Sequence, residues 1–337
     1  MKYKLRLVAV GAALMLMTSA CSAVDTGASS TESAASGESS SEHVQLPASC
    51  TSAKPLLGVL LPNLTNPYYV AMQRGFLNEG EKQGFSVKVS IANDDDANQL
   101  AQAQALLQDK PCALALNPVN SDPAAAIVQA ANQAGVPVFN VNVGVSPDAL
   151  KAQNAKIVQY LGADNAEGGT VIGQQVVKDM GKDTQLHIGF VTAPDQTIVV
   201  ERDDAFKAAV GTGSKVSFDA TVDGKVQLDT SVNVTSAMLQ GNPQMNVIFA
   251  STGPAVQGAL QAVQASGRDV KVYGFCAADV APSDHYPACV AQEPEDYGTR
   301  VVDQVKSYIG GKSVEAKILR PLKLFTPGQT PAAGEVG

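Results

Sequence analysis

Short apolar runs that stop at proline or asparagine and pass straight into helical spacing recur along this chain, and no other feature constrains its fold more. The first is residues 56–61, LLGVLL, which reads as a buried strand halted by Pro62. A helix then begins at Asn66-Pro67: asparagine suits the N-cap, proline suits the first helical position, and Val70, Met72 and Phe76 continue the spacing. Tyr68 and Tyr69 therefore stand in the first turn of a helix at the carboxyl end of a strand, where open parallel sheets bind ligands. The same sequence of events repeats with strands at 86–91, 113–116, 136–143 and 157–161, alternating with helices. Asp164-Asn165 caps the helix containing Gly168, Gly169 and Gly173. Residues 186–194, LHIGFVTAP, begin the pattern again. Strands at 215–222, 246–250, 270–275 and 288–292 follow, with helices at 199–210, 228–240, 297–309 and between Pro254 and Ser266. A single last strand is expected at 319–324. The fold class is α/β, with parallel sheets covered by helices on both faces, and the restart divides it into two similar lobes.

The ends belong to a different regime. Lys2, Lys4 and Arg6 precede an apolar core at 7–17, and Thr18-Ser19-Ala20 leads to Cys21. This resembles a bacterial lipoprotein signal, with residues 1–20 removed and Cys21 lipidated; Thr18 departs from the aliphatic residue usual there. Residues 21–53 are rich in Ser, Ala, Thr, Gly and Glu and read as a flexible tether. Residues 331–337 are expected to be a disordered tail. The exported domain would be anchored to the outer face of the cell membrane through its lipid alone. A net charge of −8, more acidic once the three basic residues of the leader are lost, disfavours a nucleic-acid partner.

Beyond Cys21 the cysteines are Cys50, Cys112, Cys276 and Cys289, an even number in an exported chain, and four cysteines allow three pairings. Cys50 and Cys112 lie at the amino ends of strands that would be neighbours, which favours bonding them to each other. Cys276 and Cys289 then pair by elimination, although one ends a strand and the other begins the next.

Catalytic patterns are missing. KSYIGGKS at 306–313 lacks the first glycine of a phosphate loop and the strand before it. There is no G-x-S-x-G elbow, and His43, His187 and His285 have no metal-ligand spacing. Asn93 to Asp96 lacks the alternation of a calcium loop and reads as a helix cap. Glu201, Asp203 and Asp204 read as a solvated helix face. No enzyme activity, metal or cofactor is expected.

The order of these motifs resembles the periplasmic sugar-binding proteins of the ribose/galactose type, the receptors of ABC importers. The likeness runs over residues 56–324 and rests on N-x-x-N-P-aromatic-aromatic at 63–69, Asn117-Pro118, G-x-P-V at 135–138, and Asp164-Asn165 with Gly168-Gly169. Gly274-Phe275 and Ala291-Gln292 complete it. The resemblance implies the type I periplasmic binding protein fold, two Rossmann-like lobes joined by three hinge crossings near Ala163, Gln292 and Leu319. Lobe 1 would be 54–162 plus 293–318, and lobe 2 would be 165–292 plus 319–330. It also implies that Asn66, Tyr68, Tyr69, Asn117 and Gln292 face the ligand, amides meeting hydroxyls and rings meeting the apolar faces of a sugar.

Departures from the pattern fall at Asn142-Val143, where the family has Asp-Arg, and at Thr252 and Cys276, where it has Asn and Asp. The second-lobe arginine falls at Val200, with Arg202 two residues on read as structural. Losing charged hydrogen bonds at these places implies a ligand held differently from ribose. The function implied is capture of a small sugar or polyol-like ligand by a monomer that closes its lobes and delivers the ligand to an ABC permease. The alternative is a receptor for a sugar, nucleoside or signalling molecule that feeds a sensor kinase.

Overall fold

A computed structural model describes residues 46–213 and 215–337; the leader, Cys21 and most of the tether lie outside the described residues. In chain order the first half comprises β1 (Leu56–Leu61), α1 (Pro67–Gln83), β2 (Ser86–Ile91), α2 (Asp96–Gln108), β3 (Ala113–Leu116) and α3 (Ala124–Gln133). It continues with β4 (Val138–Val141), α4 (Pro147–Ala152) and β5 (Gln159–Ala163). The second half comprises α5 (Asn165–Met180), β6 (Leu186–Thr192), α6 (Thr197–Val210), β7 (Val216–Asp223), α7 (Leu228–Gly241) and β8 (Val247–Ala250). It ends with α8 (Gly253–Ser266), β9 (Lys271–Phe275), β10 (Ala288–Ala291), α9 (Pro294–Ile309), β11 (Lys317–Arg320) and β12 (Lys323–Phe325).

These strands form two six-stranded sheets, ordered β11-β5-β4-β3-β1-β2 and β12-β10-β9-β8-β6-β7. Every pairing is parallel except that of β10 with β12. Alternation along each strand serves two layers of helix. In β1, Leu57, Val59 and Leu61 pack with Phe76 of α1 and Val301 of α9, whereas Leu60 faces Leu106 of α2 and Val128 of α3. In β6, Ile188 and Phe190 pack with Ile172 and Phe206, whereas Val191 joins Met238 and Val256. Each lobe therefore has its own pair of cores. The two-lobe α/β architecture is the one expected from the repeated pattern.

The chain crosses between the sheets after β5, after β10 and between β11 and β12. The last crossing corrects the expected single strand at 319–324. Pro321 lacks the N–H that a continuing ladder needs, so Lys317–Arg320 pairs with β5 in the first sheet and Lys323–Phe325 pairs with β10 in the second. Lobe 1 consequently keeps its edge strand through Arg320 rather than ending at 318.

Helices meet closely where glycine allows it. A Cβ at Gly169 of α5 would lie 2.1 Å from the Arg202 carbonyl oxygen on α6. Gly169→Val is therefore expected to push α6 away and destabilise the fold by about 1–3 kcal/mol, read as a lower urea midpoint. An unchanged midpoint would contradict this packing.

The sulfurs of Cys50–Cys112 and of Cys276–Cys289 are bonded, with Cα atoms 4.8 and 4.9 Å apart. The second pair is close because β10 begins beside the end of β9, with Cys289 opposite Gly274. The tail, expected to be disordered, is instead seated. Val336 forms an antiparallel bridge with Gln292, and its side chain joins the lobe 1 core cluster that contains Tyr68 and Phe76. Lys323 Nζ lies 2.7 Å from Glu335 Oε1, which ties the strap to β12. No helix among the described residues is long and apolar enough to cross a membrane.

Candidate ligand-binding site

The opening turn of α1 is built by side chains that its own sequence supplies. Asn66 Oδ1 accepts the Tyr68 N–H at 3.0 Å, and Asn63 Oδ1 accepts the Asn66 N–H at 2.9 Å. Asn63 in turn donates to Asp94 at 2.7 Å, joining this turn to the loop after β2. Pro67 occupies the first helical position. The rings of Tyr68 and Tyr69 meet edge to face at 5.5 Å. Both are buried, and both line the inner cavity of the cleft as well as joining the lobe 1 core.

Asn142 follows β4 with φ of 61°, a left-handed conformation that asparagine tolerates better than most residues. Its side chain thereby reaches the Tyr68 hydroxyl, which stands 2.9 Å from Asn142 Oδ1 and 2.9 Å from Gln292 Oε1. A phenol has one proton to donate, so one of the two amides presents its nitrogen to the hydroxyl. Tyr160 donates to the Asn142 carbonyl at 2.8 Å and fixes this turn from below. Burial raises the phenols of Tyr68, Tyr69 and Tyr160 far above their ordinary range, so all three stay neutral donors.

The opposite wall contributes a charge. Arg202 on α6 is buried, donates through Nε to Asn165 Oδ1 at 2.8 Å and through Nη1 to the Ser251 carbonyl at 2.7 Å. Its guanidinium lies 3.7 Å from the centre of the Phe275 ring. Nη2 has no protein acceptor among the described residues, and the side chain lines the same cavity as Tyr68 and Asn142. Burial lowers the guanidinium to about 10, with nearby phenols and Asp203 opposing, so it remains a cation at neutral pH.

Two expectations fail here. Val200 points to solvent at 38% exposure, whereas Arg202, expected to be only structural, is buried and also lines the inner cavity. Asp203 is also buried, accepting hydroxyl hydrogen bonds from Thr192 and Ser251, while Glu201 and Asp204 are exposed. Burial pushes the Asp203 carboxyl above its ordinary range, partly offset by those hydroxyls. A signal existed: Val199 and Phe206 flank Arg202 at i−3 and i+4, which is the buried face of a helix.

Of the expected site residues, Asn66, Tyr68, Tyr69, Asn142, Thr252 and Gln292 meet around one cavity. Two do not reach it. Asn117 is fully buried, with Nδ2 3.5 Å from Met72 Sδ and Oδ1 unpartnered. Cys276 is fully buried and its sulfur is bonded to Cys289, so it has no side-chain donor or acceptor for a hydroxyl. Gln196, Ile198 and Val226 line the cavity without having been anticipated. Val226 has φ of 54°, costly for a β-branched residue, so the loop after β7 is strained where it meets the site.

The lobes are closed. Ser121 N–H donates to the Asp195 carbonyl at 2.9 Å, Gln196 Nε2 donates to the Val119 carbonyl at 3.0 Å, and Thr197 N–H donates to Ser121 Oγ at 3.0 Å. Closure leaves an inner cavity of about 20 Å³ and an adjoining one of about 160 Å³ lined by Tyr69, Asp94, Asn120, Gln196 and Gln227, among others.

Comparison with known proteins bears on the family and the fold. The chain is 28% identical over 280 residues to the ribose import binding protein of Bacillus subtilis (strain 168), covering 80% of this chain and 87% of the relative. It is 28% identical to the ribose import binding protein of Escherichia coli (strain K12), covering 81% and 90%. The fold matches an ABC transporter periplasmic solute binding protein from Actinobacillus succinogenes with bound D-allose, at TM-score 0.72 and 21% identity over 81% of this chain and 98% of that one. It also matches a Mycobacterium smegmatis solute binding protein with bound glycerol, at TM-score 0.74 and 23% identity over 81% and 94%. The periplasmic binding protein domain model matches residues 57–313, and the chain belongs to that family.

Proposed function

We propose that this chain is an extracytoplasmic solute-binding protein that captures a small carbohydrate or polyol and presents it to an ABC permease. One observation carries the reading. Neutral amide and phenol donors of lobe 1 (Asn66, Tyr68, Asn142) face a buried cation and a hydroxyl of lobe 2 (Arg202, Thr252), with Gln292 on the crossing between them. A polyhydroxylated ligand bonded by both walls stabilises the closed form over the open one, and that differential affinity drives closure. Relatives named as ribose import binding proteins support the substrate class.

Asn142, Thr252 and Cys276 stand where charged or amide groups are expected, and they leave Arg202 as the one charged side chain among the described residues that line the inner cavity. The ligand is accordingly held with fewer charged hydrogen bonds than ribose would be in the family pattern. In this reading Cys21 carries a lipid, and the segment between it and residue 47 tethers the domain to the outer face of the cell membrane. That is shorter than the expected 21–53 because Ala48–Thr51 is a helical turn whose Cys50 is bonded to Cys112. The protein works as a monomer without enzymatic turnover.

The test is a thermal-shift screen of the purified domain over pentoses, hexoses, polyols and nucleosides. A ligand bound only by the folded protein at 100 times its Kd adds about 2.7 kcal/mol of stability, an easily read rise in Tm. A rise with a pentose or polyol is expected. Response to nucleosides alone, or to none of the compounds, overturns the reading.

A further inference from the structure

The inner cavity holds about 20 Å³, room for roughly one water. A pentose has about ten non-hydrogen atoms and needs several times that space. An adjoining cavity adds about 160 Å³, and part of the wall of the inner one is supplied by Gly337. Gly337 N–H donates to the Cys276 carbonyl at 2.8 Å, and the Gly337 carbonyl accepts the Gly253 N–H at 2.8 Å. Val336 exchanges both backbone bonds with Gln292, at 2.8 and 3.1 Å. The groups taken are the carboxyl end of β9, the first N–H of α8 and the β10–α9 crossing, which border the positions where a ligand of a parallel sheet is held. Gly337 itself lines the inner cavity beside Thr252 and Gln292.

The seat is built rather than incidental. A Cβ on Gly337 would lie 2.5 Å from Phe275 Cβ and 2.7 Å from Cys276 N, so the residue fits without room for a side chain. Val336 is buried in the lobe 1 core, although its neighbour is bonded to lobe 2 backbone. The strap thus touches both lobes, as a ligand would. Glu335 anchors it upstream, one oxygen on Lys323 and the other accepting the Ala332 N–H at 2.6 Å.

We propose that residues 331–337 are an internal competitor: in the absence of ligand Gly337, fixed by Val336, takes backbone partners at the rim of the inner cavity, holds the lobes together, and withdraws when the solute binds. This rests on the solute-binding reading above, and it adds a regulation to the same site. The apparent affinity falls by the fraction of molecules with the strap withdrawn, so a strap seated nine times in ten lowers it about tenfold.

The test compares the full chain, a variant ending at Thr330, and Gly337→Val, which unseats the strap without deleting it. Calorimetry with the carbohydrate found by thermal shift is expected to give about tenfold tighter binding in both variants. The synthetic peptide of residues 331–337, titrated into the shortened protein, is expected to bind and to weaken the carbohydrate in proportion. Equal affinity in all three proteins overturns the proposal. Should no carbohydrate bind any of them, the solute reading fails by itself and the peptide titration decides: binding supports an internal occupant, and no binding overturns it. Hydrogen exchange covers a variant that folds poorly. In the ligand-free full chain the Gly253 and Gln292 amides should be protected, and fast exchange there also overturns the seat.

Discussion

Arg202→Met is expected to weaken carbohydrate binding by about thirty- to a hundredfold, the worth of one or two hydrogen bonds from a charged donor. The guanidinium is committed on two sides, to Asn165 and to the Ser251 carbonyl, and stacks on Phe275. Its orientation is therefore fixed before the ligand arrives, and Nη2 is presented to the cavity at no further ordering cost. Methionine preserves the stem's packing, so the variant should fold, at a cost of about 1–3 kcal/mol for the acceptors left unpaired. Arg202→Lys should bind better than Arg202→Met but below the parent, because an ammonium cannot hold both acceptors and still reach the cavity. Since burial lowers the guanidinium only to about 10, it is charged throughout the neutral range, and binding should be flat between about pH 6 and 8 on its account. Calorimetry on the two variants checks this; parent-like affinity in Arg202→Met would remove the arginine from the site.

How much of this was legible in the sequence follows from how local each feature is. The Asn66-Pro67 start of α1 rests on a cap and a proline within a few residues, and the structure has both. Strand and helix alternation is likewise a matter of short periods, and the two largely parallel sheets follow from it, though not the order of strands within them. The place of Arg202 at the cavity is not a matter of spacing along the chain; its burial is a property of the helix face shared with Val199 and Phe206. The crossing at Pro321 carried a readable signal in the proline, but only the partners on either side, β5 and β10, assign its two halves to different sheets. The strap was illegible. Ala332 to Gly337 has no periodicity, and its order comes from backbone groups of Gln292, Gly253 and Cys276 that only the finished fold brings together. Cys276 is a middle case: its pairing was reachable by counting cysteines, yet the pairing itself removes it from the hydroxyl-binding role that its position implied.

The two disulfides separate stability from binding. Replacing Cys50 and Cys112 together by serine opens a link spanning 62 residues and is expected to cost about 4 kcal/mol, whereas Cys276 and Cys289 span 13 and should cost about 3 kcal/mol. Their consequences for the ligand should be the reverse. Cys112 immediately precedes β3, donating its N–H to the Leu56 carbonyl, so the first bridge fastens the amino ends of β1 and β3, the edge opposite the cleft. The second lies at the carboxyl end of β9. It adjoins Phe275, whose ring carries the Arg202 guanidinium, and Cys276 also supplies the carbonyl that Gly337 occupies. Urea midpoints should therefore fall in both double variants, with affinity unchanged in Cys50→Ser/Cys112→Ser and altered in Cys276→Ser/Cys289→Ser. The measurement is decisive because the larger loss of stability is assigned to the variant with no loss of binding. An affinity change that tracked stability across both would mean that the site merely reports how well the lobes are folded, and that Phe275 does not hold Arg202 in place.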